Sequence, residues 1–212
     1  MAHEIFEAIR KGETERVRQL LAQNPESARE HDDNGVSALM QARYRRQLAI
    51  VDLLRSSAGE LDIFEAASLG DIDRLRLLIQ QQPDLICTFS ADGFTALHFA
   101  AFFSQPEAAE ELLNNGADPN AIATNGTKLA VLNSAAAGGN TEIVAMLLRE
   151  GANPDAQQEG GFTALHAGAQ QNNAEMVRAL LDAGADVSIP TNDGKTAAEL
   201  AGPEVSALLK RA

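Results

Sequence analysis

Four histidines, one cysteine and thirty carboxylates are the residues of this chain best suited to chemistry. Their spacing decides whether a reaction centre is predicted. His98 and His166 occupy the same place in two near copies of one decapeptide, DGFTALHFAA (Asp92–Ala101) and GGFTALHAGA (Gly160–Ala169), 68 residues apart. They are the residues that most invite a catalytic reading, yet an ordered histidine in a repeated setting is expected to serve structure. His3 and His31 lack Cys or carboxylate partners at ligand spacing, so neither a zinc nor a calcium site is predicted. Cys87 follows Pro83 in a loop, without the His or Asn of a protease signature and without an electropositive setting that would make it a thiolate; it reads as a passive thiol. No carboxylate pair stands in an aromatic cleft of the glycosidase kind, and Gly138-Gly139 lacks both the preceding strand and the Lys of a phosphate loop. Ser37, Thr95, Thr163 and Thr196 stand where a hydroxyl caps a helix, not where it attacks a substrate. No enzyme, cofactor or metal is predicted.

The elements that carry these residues are themselves repeated. Each copy of the decapeptide is followed, at the same distance, by a Leu-Leu pair and then Gly-Ala-Asp. Units of ~33 residues that recur this way are helix pairs that cannot bury their apolar faces without a neighbour. First helices are predicted near residues 3–11, 37–45, 62–69, 95–103, 129–137, 163–171 and 196–201, each followed after one tight turn by a second helix. Gly12, Gly70 and Gly139 end first helices, as left-handed positions require. Asn172 can substitute at that place, whereas Arg46 and Ser104 fit it less well. The pairs Leu20-Leu21, Leu77-Leu78, Leu112-Leu113, Leu147-Leu148 and Leu180-Leu181 mark the inter-repeat face, and Asp73, Glu107, Glu142 and Glu175 suit the positive ends of the second helices.

The stretch DGFTALHFAAFFSQPEAAEELLNNGADPNA (Asp92–Ala121) closely resembles an ankyrin repeat, and the resemblance, to the stand-alone bacterial type, runs through nearly the whole chain. It implies an all-α solenoid of stacked antiparallel helix pairs with short β-hairpin fingers. The expected domain is a single one over 1–212, with about six pairs and a truncated C-terminal cap. It also implies that His98 and His166 bridge neighbouring backbone turns, and that the function is non-catalytic protein binding.

Two departures from the repeat stand out. IFEA at Ile5–Ala8 returns at Ile63–Ala66, and nine further residues match at the same offset of 58, so the first two units look like a copy of the third and fourth. Only eight residues separate Leu54 from Ile63, so a finger-less joint is expected at 55–62, with the row of fingers broken there. Conversely, AIATNGTKLAVL (Ala121–Leu132) is two residues longer than the usual spacing and puts Asn133 where His is expected.

Composition limits the partners. The chain is 45% hydrophobic and 4% aromatic, with a formal charge of −13, which opposes phosphate-driven nucleic-acid binding. Residues 1–60 hold nine basic and ten acidic residues, so almost all the excess lies downstream. No apolar run suggests a membrane span, and the opening MAHEIFEAIRKG lacks a signal peptide's apolar core. A cytoplasmic monomer is expected.

The resemblance places recognition on the two residues after the small pair of each first helix and on the finger before TALH. The candidate contacts are Arg10, Lys11, Tyr44, Arg45, Leu69, Phe94, Phe102, Phe103, Gln170 and Gln171. They form a gradient from basic through apolar to amide, suited to a protein with an acidic or apolar segment. Phe102 and Phe103 lead, because exposed aromatics are common hot spots. Either ring can instead fill the gap at the missing finger by packing on Leu69. The alternative function is a self-associating scaffold that uses the Phe pair or the finger-less joint.

Overall fold

The computed structural model describes residues 2–210, with side chains from residue 4 onward; the His3 side chain lies outside the described residues. Among these residues the α-helices are α1 Ala2–Lys11, α2 Thr14–Gln23, α3 Ala38–Tyr44, α4 Leu48–Ala58, α5 Ile63–Leu69, α6 Ile72–Gln81 and α7 Ala96–Phe102. They continue with α8 Pro106–Asn114, α9 Val131–Gly138, α10 Thr141–Arg149, α11 Ala164–Gln170, α12 Ala174–Asp182, α13 Ala197–Leu200 and α14 Pro203–Leu209. Single 3₁₀ turns follow α2 and α6 at Pro25–Arg29 and Pro83–Cys87.

Of the odd-numbered helices, α3, α5, α7, α11 and α13 start at short polar caps, whereas α9 follows Ala130 without a side-chain cap. Ser37 Oγ accepts from the Met40 N–H at 3.2 Å and Asp62 from the Glu65 N–H at 2.8 Å, while Thr95, Thr163 and Thr196 form capping boxes. From α1 to α11 the odd-numbered helices end on a left-handed residue two positions before the next helix, whereas α13 ends on extended Ala201. Gly12, Gly70 and Gly139 fill that place in three units, but Arg46 (φ 56°), Ser104 (φ 56°) and Asn172 (φ 51°) fill it in three others. A Cβ in this conformation is disfavoured. Arg46→Gly is therefore expected to raise stability by about 0.5–1 kcal/mol, part of the gain being offset by the greater freedom of glycine in the unfolded chain. Denaturant melts of the two proteins check this.

Helices α4, α8, α10 and α12 bury a stripe at i, i+1 and i+4, such as Ile143, Val144 and Leu147 in α10 and Met176, Val177 and Leu180 in α12, while α2 buries Val17, Leu20 and Leu21. The Leu-Leu pairs are mostly half inside, since Leu113, Leu148 and Leu181 are only partly buried. In α6 the register differs from that expected. Leu75, Leu78 and Ile79 are buried, and Leu77 is 43% exposed because it lies off the stripe.

Helices stack in two layers. In the first, α5, α7, α9, α11 and α13 pack in succession, and α1 packs on α3; in the second, α2 packs on α4, and α6, α8, α10, α12 and α14 follow one another. Gly138 shows how close the first layer is. A Cβ there would lie 2.6 Å from the Phe102 carbonyl oxygen, so only glycine allows α9 to approach α7.

The projecting segments are turns rather than β-hairpin ladders. Ser90 N–H to Phe94 O (2.9 Å), Gln158 N–H to Phe162 O (2.9 Å) and Thr191 N–H to Lys195 O (2.9 Å) each close one turn. Among the described residues the β pairing consists of two isolated bridges, His31–Ser37 and Ile122–Ala130. These loops are too short for a second registered pair, whereas the longer loop at 121–132 adds the bond from Ala123 N–H to Leu129 O at 2.8 Å. Single backbone bonds link successive turns, as from Thr124 N–H to Gly93 O and Asn192 N–H to Gly160 O, both 2.9 Å.

Between α4 and α5 the chain runs through only Gly59–Asp62 and no turn projects. The row of turns nevertheless continues in space. A Cβ on Gly35 would lie 2.7 Å from the Ala91 Cβ, so the turn before α3 abuts the turn before α7. The expected break is thus a bypass: removing one turn lets its two neighbours close over the gap.

Candidate functional site

At the bypass the side chains at the end of α3 reach α7, and they build an aromatic cluster around Phe99, which is buried at 3% exposure. Its ring lies 6.3 Å from Tyr44, 6.0 Å from Phe64, 5.8 Å from Phe94 and 6.5 Å from Phe103, centroid to centroid. The Tyr44 phenol donates to the Asp92 carboxylate across the two turns. Burial, then Asp92, pushes that phenol up, so the proton stays on the oxygen. Asp92 also accepts from Ser90 Oγ at 2.6 Å, which holds the turn before α7 in shape.

Phe102 and Phe103 divide as the helix geometry requires, since adjacent side chains point about 100° apart. Phe103 is partly buried, stacked near Phe99 and 5.9 Å from Tyr44, with the Arg43 guanidinium 4.4 Å above its ring. Phe102 is 37% exposed and meets Phe103 edge-on at 5.1 Å. Beside them lies a depression of about 500 Å³ lined by Arg43, Tyr44, Arg46, Leu48, Phe102, Phe103, Ser104 and Gly138. A smaller, largely apolar cavity of about 120 Å³ shares Tyr44 and Phe102 with it and is lined further by Phe94, His98, Phe99, Leu129 and Ser134.

Tyr44, Phe94, Phe102 and Phe103 therefore come together, and Leu69 is half-buried against the same core. The other candidates lie apart. Arg10 and Lys11 are exposed and both pair with Glu7, Lys11 at 3.1 Å, beside a separate depression with Glu4, Glu13 and Arg16. Arg45 is exposed and bonded to the Gln41 side chain. Gln170 is exposed, while Gln171 reaches back to the Ala136 carbonyl at 2.7 Å.

Arg43 and Leu48 did not stand among the sequence candidates. Leu48 is 63% exposed. Its position was readable from helix phase, because the buried stripe of α4 runs through Ile50, Val51 and Leu54 and leaves Leu48 about 200° from Ile50. Arg43 belongs to the basic run RYRR (Arg43–Arg46), which reads more readily as a solvated helix end than as a site; its guanidinium donates to the Ser68 carbonyl of α5, a contact between units.

The two buried histidines hold turns together. His98 Nδ1 accepts from the Thr95 N–H at 3.2 Å, so Nε2 carries the proton and donates to Leu129 O at 3.0 Å. His166 does the same between Thr163 and Lys195. Asn133 replaces this in its own unit, donating Nδ2 to Ala156 O at 3.2 Å. Burial lowers the His98 imidazole to about 4. From about pH 6.5 down to about 4 the unfolded chain takes up a proton that the folded ring refuses, so stability falls on acidification, by about 3 kcal/mol over the window. Asp62 and Glu65, raised by burial, have the opposite sign: their contribution is lost as pH rises through their folded values. His98→Asn, which copies Asn133, is expected to remove the His98 share and flatten the pH dependence relative to wild type, while His98→Ala loses the bridge at every pH. Urea midpoints from pH 4 to 7 measure both.

Among the described residues no group of three or more His, Cys, Asp or Glu can hold a metal ion, and no helix is long and apolar enough to cross a membrane. Cys87 is an exposed free thiol.

Comparison with known proteins agrees with this geometry. Residues 124–204 match the family model for ankyrin repeats in three copies, and residues 63–110 match that for ankyrin repeats in many copies, together more than half of the chain. A probable E3 ubiquitin-protein ligase of Oryza sativa subsp. japonica is 41% identical over 95 residues, 44% of this chain and 21% of the relative. Ankyrin repeat and SOCS box protein 3 of Bos taurus is 31% identical over 146 residues, 53% of this chain and 28% of the relative. Neurogenic locus notch homolog protein 1 of Danio rerio is 33% identical over 135 residues, 59% of this chain and 6% of the relative. The chain thus spans well under a third of the length of each of these relatives.

Proposed function

Because the chain belongs to the ankyrin repeat family, whose repeats generally mediate protein–protein interaction, we propose that it is a non-catalytic module that binds a protein partner in the depression between α3 and α7. The observation that carries this reading is the exposed apolar surface there. Phe102 and Leu48 stand open to solvent beside a cavity of about 500 Å³, and exposed aromatics of this kind dominate binding energy when a partner covers them. The ligase activity in one relative's name belongs to a protein of which this chain matches only a part, and it is not carried over. His98 and His166 support the non-catalytic reading, since both nitrogens of each ring are engaged by neighbouring turns. The protein acts as a cytoplasmic monomer, a compartment in which the Cys87 thiol stays reduced; its charge of −13 opposes self-association.

A photocrosslinking amino acid at position 48, inside the depression, is expected to trap a partner in cells, and the same group at position 77, on the second-helix layer, is not. Equal trapping at both positions, or a species of twice the chain's own mass at position 48, would refute this reading, the latter in favour of the self-associating scaffold.

A further inference from the structure

Most of the basic residues before α7 are already neutralised. Arg10, Lys11, Arg16, Arg18, Arg29, Arg55, Arg74 and Arg76 all pair with carboxylates. Arg43, Arg45 and Arg46 are the exception. Among the described residues these three neighbours make no ion pair, in a chain with thirty carboxylates. Two of them line the depression, which has no carboxylate in its wall. Arg43 is the more telling. It is partly buried, its Nε lacks a partner, and its Nη group donates only to a neutral carbonyl, so its charge sits over the Phe103 ring with no carboxylate paired to it. A partly desolvated cation of this kind projects a stronger field than one in water.

Resting on the reading of this depression as the partner site, we infer that its occupant is an acidic peptide segment in which carboxylates flank a large apolar side chain. The apolar side chain packs between Leu48, Tyr44 and Phe102. The carboxylates face Arg46, which is exposed in the wall of the depression and can bond bidentately, while Arg45, exposed next to it in sequence and bonded to Gln41, adds charge nearby. Arg43, held by Ser68 and Phe103, adds charge without needing contact. A nucleic acid or an anionic membrane is disfavoured, because a long polyanion must also face the acidic excess beyond residue 60.

The test is an unbiased selection of random 12-residue displayed peptides against the purified chain, followed by titration of the enriched peptides at two salt concentrations. Enriched peptides are expected to carry Asp or Glu beside Phe, Leu, Ile or Trp. They should lose about tenfold or more in affinity on Arg45→Glu with Arg46→Glu, lose less on Arg46→Lys, which keeps the charge but not the bidentate fork, and weaken with salt. Their Asn and Gln counterparts should bind correspondingly less. Neutral or basic peptides that still require Phe102 would overturn the inference and leave the binding module standing. Peptides indifferent to Phe102, or no enrichment, would count against both. Tighter binding of single-stranded DNA 20-mers or phosphatidylserine vesicles than of any peptide would replace the acidic peptide by a polyanion and also overturn the inference.

Discussion

Phe99→Ala is expected to destabilise the protein by about 3–5 kcal/mol, the largest effect of any single substitution considered, because it removes a ring that is 3% exposed and leaves a cavity where three units meet. The physical basis is the bypass. Tyr44 from α3, Phe64 from α5, and Phe94 and Phe103 beside α7 all pack on this ring. The joint at Gly59–Asp62 has no turn of its own to reinforce it. A repeat stack is held by nearest-neighbour interfaces, so weakening one interface splits cooperativity as well as lowering stability. Two unfolding transitions are therefore expected, one for the units before the joint and one for those after it, in place of a single transition. Leu77→Ala, at an exposed position on α6, should change little. A single transition in Phe99→Ala that is shifted by less than about 1 kcal/mol would mean that the interface does not depend on this ring.

Phe102→Ala is expected to weaken partner binding by about 2 kcal/mol or more, roughly thirtyfold, while leaving the thermal midpoint nearly unchanged. The ring is 37% exposed and walls the small apolar cavity already present, so its removal opens that cavity to solvent instead of leaving a new buried void. Phe103→Ala is the wrong test by itself. That ring packs against Tyr44, Phe99 and Arg43, and its loss would disturb the floor of the depression as well as the contact. Titration of a crosslinked and identified partner against wild type, Phe102→Ala and Gln170→Ala separates the effects, since Gln170 is exposed away from the aromatic cluster. Affinity unchanged in Phe102→Ala and reduced in Gln170→Ala would move the site toward the C-terminal units.

What the sequence by itself determined is the local grammar of the repeat. Thr95 and Ser37 announce helix starts because a short hydroxyl is the cheapest acceptor for an unpaired N–H, and Gly12, Gly70 and Gly139 announce their ends because a left-handed backbone favours them. The bridging roles of His98 and His166 were legible through the resemblance of their TALH stretches to the ankyrin repeat, and the structure places each ring between turns. Only the tertiary structure decided which segments meet when the period fails. Ala91 lies 56 positions beyond Gly35 in sequence, and nothing in the local pattern says that their turns abut, since the contact follows from a missing turn elsewhere. Phe103 partly buried with Phe102 exposed, Tyr44 bonded to Asp92, and Arg43 resting on Phe103 all depend on that contact. Periodicity carries information about nearest neighbours; the candidate site arises where α3 and α7 meet past the short connection into α5, so its composition is set by packing in space.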